Sequence, residues 1–201
     1  MNGCVLPSRS WPPECCVPAF LHSALLVKGI EIEVPDALPS LLGVRVRPDQ
    51  LNPLDLAIAD NEHPAGIRAS DAEREINRLF VELQLPLFFR RVPFLEVELG
   101  LWEDTLAEAL SRGVVVGLGL DFSVLTRRPA VRSAQHVMRV LKMAGNELEL
   151  ADDSGEADRL CMRVTMDHAS QAVLAIPDGL WLVGSEEDLK LPFTVAWSGH
   201  K

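Results

Sequence analysis

The sequence predicts an α+β domain, and three observations carry that expectation. Amphipathic helical stretches crowd the chain up to residue 112, and short apolar runs of strand length crowd the remainder. No internal repeat or low-complexity tract interrupts either part. The chain has 201 residues, a single domain's length, and 48% of them are hydrophobic, enough for a substantial core. The division expected is an irregular lead-in at 1–14, a mostly helical half at 15–112 and a sheet half at 113–201. The helical half is expected to pack on an antiparallel sheet formed by the second.

In chain order, prolines at 7, 12 and 13 punctuate the lead-in. From Cys16 to Lys28 the apolar positions Val17, Ala19, Phe20, Ala24, Leu25 and Val27 suit a largely buried helix stopped by Gly29. Pro18 falls in its first turn, where a missing N–H costs nothing. Residues 30–68 read as loop with short elements. "SDAEREINRLFVEL" then predicts a helix with Ser70 as N-cap, Glu73 at capping-box spacing, and an apolar stripe of Ile76, Leu79, Phe80 and Leu83. "LPLFFRRVPFLEVEL" is mixed strand or loop, and "WEDTLAEALSRG" is a helix closed by Gly113. "VVVGLGLDF" is an unbroken apolar run, the mark of a buried central strand. A polar loop, "RRPAVRSAQ", leads to the strands "HVMRVLKMA" and "ELELAD", joined at Gly145-Asn146. A strand "LCMRVTM", a short helix from about Asp167 to Leu174 and a last strand "GLWLVG" complete the chain. Trp102, Trp181 and Trp197 are expected to pack the core or an edge.

A formal net charge of -10 argues against a nucleic-acid or anionic-membrane partner. No run approaches the roughly 20 apolar residues of a membrane span, and "MNGCVLPSRS" lacks the features of a secretory signal. A cytoplasmic protein is therefore expected. Its four cysteines, at 4, 15, 16 and 161, are expected to be reduced, since their spacing suits neither a disulfide framework nor a metal site. No cofactor or metal is implied.

Chemistry enters with the pair Cys15-Cys16 at the mouth of the first helix. A thiol there sits beside backbone N–H groups that stabilise its thiolate. His136 opens one strand of the late hairpin and Asp152 closes the other. Their side chains can meet at one end of it, as a carboxylate orienting an imidazole requires. The other histidines fit less well: His22 lies six residues into the helix, His63 in a loop, His168 near a helix start and His200 at the terminus. Cys4 and Cys161 read as bystanders.

"CCVPAFLHSAL", followed far downstream by "QHVMRVLKMAGNELELADDSG" and "DGLWLVG", resembles the papain-like cysteine peptidase superfamily, in its double-glycine-leader (bacteriocin-processing) peptidase-like branch. The resemblance implies a papain-like fold with Cys16 as nucleophile, His136 as base and Asp152 as orienting carboxylate. The Val-Pro-Ala after Cys16 sets the register in favour of Cys16 over Cys15. Two departures stand out. The family's oxyanion glutamine a few residues before the cysteine is absent from "SRSWPPEC", where Ser10, Trp11 and Glu14 lie nearest. Asp153 replaces the family's proline, leaving open which of Asp152 and Asp153 faces His136. The implied activity is a thiol-dependent hydrolase working through an acyl-enzyme on an amide or thioester bond, a peptidase or amidase. Its partner would be a peptide or small acyl substrate, with a carrier protein also allowed. The alternatives are an acyltransferase on the same fold, or a binding module that has lost catalysis with its glutamine.

Overall fold

The computed structural model describes residue 11 and residues 15–45, 66–93, 102–127, 135–155, 161–176 and 178–190. The elements are α1 (Cys16–Val27), a 3-10 turn (Pro35–Ala37), α2 (Leu38–Leu41), α3 (Ala69–Glu82), β1 (Phe88–Val92), α4 (Trp102–Ser111) and β2 (Val115–Asp121). They continue as α5 (Phe122–Thr126), β3 (Gln135–Ala144), β4 (Glu147–Ala151), β5 (Cys161–Thr165), α6 (Met166–Ala175) and β6 (Gly179–Gly184). Among the described residues, six strands join one antiparallel sheet, ordered β1-β6-β2-β3-β4-β5. The architecture is α+β.

Helices cover both faces of that sheet. On one face α1, α2 and α3 bury Phe20, Leu25, Leu38 and Phe80 against Val115, Val137, Trp181 and Val183. On the other, α4, α5 and α6 bury Trp102, Leu125 and Val173 against Leu118, Met138, Leu150 and Leu182. The division at residue 112 into a helical and a sheet half is therefore too simple. β1 leaves the first half to form an edge of the sheet, and α5 and α6 return from the second to cover it. The reason lies in β2, buried along nearly its whole length: a strand apolar on both faces needs a layer on each. Its Gly117 lets α1 approach closely. A Cβ there would lie 2.9 Å from Phe20 Cε2 and 3.0 Å from Val137 Cγ1.

Most boundaries fall where the sequence places them, including Gly29 and Gly113 just past α1 and α4, both at positive φ. The expected capping box of α3 does not form. The helix begins a residue before Ser70, with Arg68 as N-cap and no side-chain cap, and Leu83 is exposed past its end. Glu73 accepts instead from the Arg91 backbone N–H of β1 at 3.4 Å. Tertiary pairing with β1 outweighs the local cap.

One irregularity matters for chemistry. In the β3–β4 ladder Val140 opposes Leu150 but Lys142 opposes Glu149, so Leu141 is an extra residue. A one-residue insertion exchanges the faces to which a strand's side chains point. The bulge puts Met138 and Val140 on the same face as Leu148 and Leu150. By the same alternation His136 shares the face on which Asp152 follows β4. A regular ladder would set those two side chains on opposite faces.

Candidate active site

Cys16 is the first residue of α1 and Cys15 its N-cap. Neither is in a disulfide, but Cys15 is fully buried among the core residues of α1 whereas Cys16 is partly exposed. Cys15 makes no side-chain cap and the first turn holds no acidic residue. The positive end of the helix, with N–H groups lacking intrahelical acceptors, therefore stands beside the Cys16 sulfur.

His136, the second residue of β3, lies under the ring of Phe122 at a centroid distance of 4.9 Å and is only 7% exposed. Its Nε2–H donates to Asp152 Oδ1 at 3.1 Å, and the Cys16 side chain stands near enough to the same imidazole to favour its protonated form. That fixes the tautomer, since a carboxylate oxygen can only accept. The same Asp152 oxygen accepts from the Ser154 backbone N–H at 3.0 Å and the Ser154 hydroxyl at 2.6 Å. Burial alone would push the Asp152 carboxyl up. The hydrogen bond and charge of His136, with the Ser154 donors, outweigh it and hold the group below the usual carboxylate range.

Burial likewise favours the neutral form of His136, but the hydrogen bonds and negative charges of Asp152 and Cys16 prevail and raise the ring to about 10. The imidazole is therefore an imidazolium at neutral pH. In the unfolded chain it titrates near 6.5, so between 6.5 and 10 the folded state binds the extra proton. The stability this contributes is complete below 6.5 and lost as pH rises to 10. The expected result is a urea midpoint that falls more steeply across that window in wild type than in His136→Gln. Parallel slopes would contradict the assignment.

Asp153, buried to 1% exposure, points the other way. Its two oxygens accept from Arg139 Nε and Nη2, each at 2.9 Å, and Ser23 of α1 stands near enough to favour its charged form. Burial pushes this carboxyl up, while the Arg139 fork and Ser23 pull it back. The open choice between the adjacent aspartates is thus resolved by geometry: Asp152 meets His136 and Asp153 meets Arg139. The Arg139–Asp153–Ser23 group ties α1, which carries Cys16, to the hairpin that carries His136. A second tie comes from Trp11. Its backbone N–H donates to Ser154 O at 3.3 Å, and its ring meets His22 of α1 edge-on at 5.7 Å. Neither tie is foreseen from sequence, although "DDS" is a recognisable Asx-turn pattern for the Ser154 contact.

The remaining expectations separate as follows. His22 is buried against Trp11, and His168 Nε2 lies 3.1 Å from Val124 O of α5, away from Cys16. Cys161 is disulfide-bonded, which corrects the expectation of reduced thiols throughout. Linear spacing did not reveal this bond because proximity in space decides disulfide formation. Trp102 and Trp181 are core residues. Cys4, Ser10, Glu14, His63, Trp197 and His200 lie outside the described residues. Among the described residues no helix is long and apolar enough to cross a membrane, and no group of three His, Cys, Asp or Glu stands close enough to hold a metal. No family model and no curated protein matches the sequence.

Proposed function

We propose that the protein is a thiol-dependent hydrolase of papain-like type, cleaving an amide or thioester bond through an acyl-enzyme on Cys16. The observation that carries the reading is a buried imidazole hydrogen-bonded to Asp152 at 3.1 Å, with its protonated form favoured by a partly exposed cysteine at the open end of a helix. Nε2 is committed to Asp152, so Nδ1 exchanges the working proton. The Cys16 thiolate attacks the carbonyl carbon, forming a C–S bond while the carbonyl π electrons move to oxygen. The backbone N–H groups at the head of α1 face that charge. Collapse of the tetrahedral intermediate breaks the bond to the leaving group, which takes the proton from the His136 imidazolium. The neutral ring then accepts a proton from water as its oxygen attacks the thioester. Expulsion of the Cys16 thiolate releases the acid and restores the ion pair.

A second reading is a non-catalytic binding module on the same fold, favoured by the missing oxyanion glutamine; loss of one such donor costs about a hundredfold to a thousandfold in rate. Mass spectrometry after exposure to a panel of peptide and thioester substrates separates the two. The hydrolase reading expects an acyl adduct on wild type and none on Cys16→Ala. An adduct that persists in the alanine variant removes Cys16 from the mechanism, and the absence of any adduct or turnover favours the module.

A further inference from the structure

Phe122 follows directly on β2 and opens α5. The β2–β3 register sets Leu120 opposite His136 and Asp121 opposite Gln135, so Phe122 leaves the sheet beside the imidazole. The two rings meet at a centroid distance of 4.9 Å and an interplanar angle of 58°. Phe122 is partly exposed, and the imidazole it covers is buried.

The backbone under that ring is held from several sides. Asp121 Oδ1 caps α5, accepting from the Ser123 N–H at 2.8 Å, the Ser123 hydroxyl at 2.6 Å and the Val124 N–H at 3.1 Å. The Thr126 hydroxyl donates to Phe122 O at 2.7 Å, and Leu125 is anchored in the core. His168 of α6 meets Val124 O at 3.1 Å. So short a helix has little stability of its own. These contacts fix its first residue against His136.

A buried imidazolium takes its stabilisation from its neighbours, since water no longer supplies it. Those that act on it by charge are Asp152, following β4, and Cys16, from α1. Of the other titratable groups on adjoining elements, Asp121 is engaged by the donors of α5, Arg139 by Asp153, and His168 of α6 by Val124 O. A phenyl ring attracts a cation within about 6 Å of its centroid, and more strongly where both are desolvated. Phe122 meets that distance. We infer that Phe122 is a positioning residue, holding the His136 imidazolium through the attraction between its π system and that charge. The attraction favours the charged ring over the neutral one, so the pairing with Cys16 persists to higher pH. The charge state stands without any substrate; its bearing on turnover rests on the hydrolase reading.

The test replaces Phe122 with trifluorophenylalanine, which keeps the ring's shape while drawing electrons from its face, and separately with leucine. Nitrogen NMR titration of His136 reads the result. Phe122→Leu is expected to make the imidazole titrate about 0.5–1.5 pH units lower than in wild type, and the fluorinated ring about 0.5 lower or more. An imidazole that titrates at the wild-type pH beside the fluorinated ring overturns the inference, because the packing is then retained and only the attraction removed. The near-isosteric ring also keeps the test decisive should the leucine variant fail to fold. With the hydrolase reading in force, the alkaline limb of turnover moves down with the titration. A lowered titration in a protein that forms no acyl adduct would remove only the hydrolase reading.

Discussion

Replacing Cys16 with alanine is expected to abolish thiol-dependent turnover, a loss of about four orders of magnitude or more, with the fold intact. The side chain is partly exposed at a helix end, so its removal opens no deep cavity. Cys15→Ala gives the reverse pattern. That thiol is 0% exposed in the core, and its truncation is expected to cost about 1 kcal/mol of stability while leaving acylation in place. The two substitutions are one residue apart, which makes them mutual controls. Iodoacetamide labelling followed by peptide mapping reads the same contrast without a known substrate. Label found on Cys15 and absent from Cys16 would overturn the assignment.

The second large effect concerns the Arg139–Asp153 pair. Both side chains are nearly removed from water, with Asp153 at 1% and Arg139 at 7% exposure. Asp153→Ala leaves the guanidinium without its counter-charge and is expected to cost about 3–5 kcal/mol. It also removes the partner of Ser23, loosening α1 and Cys16 with it. The double substitution Arg139→Met, Asp153→Leu should recover most of the stability, since a well-packed apolar pair replaces a buried ion pair at little net cost. Recovered stability without recovered Cys16 reactivity would identify the pair as a positioning device. A loss below about 1 kcal/mol for Asp153→Ala would show that the guanidinium is hydrated and that the tie is weak.

Much of this arrangement is legible in the sequence because it depends on local signals. The apolar spacing after Cys16, the glycines closing α1 and α4, and the Gly145-Asn146 turn each report a single element and act within a few residues. The ordered trio of Cys16, His136 and Asp152 could be picked out because each stands at the end of such an element. The rest is nonlocal. The bulge at Leu141 decides whether His136 and Asp152 share a face, yet nothing in "VMRVLKMAGNELEL" marks Leu141 as the extra residue. The capping box at Ser70 satisfied every local rule and yielded to the pairing of Glu73 with β1. Helix α5 escaped notice because it spans only five residues, although Asp121 caps it with bonds to the Ser123 and Val124 N–H groups at 2.8 and 3.1 Å. The cleft between α2 and α3 is a juxtaposition of distant segments, which periodicity does not report.

The charge state of the His136 ring is the most direct test, because every catalytic role proposed here follows from its contact with both Cys16 and Asp152. Nitrogen NMR titration of that imidazole, in wild type and in Cys16→Ala, measures it. The expected result is a ring that stays protonated through neutrality and titrates near 10 in wild type, then shifts to lower pH once the sulfur is removed. A ring that titrates near 6.5 in both proteins would contradict the pairing.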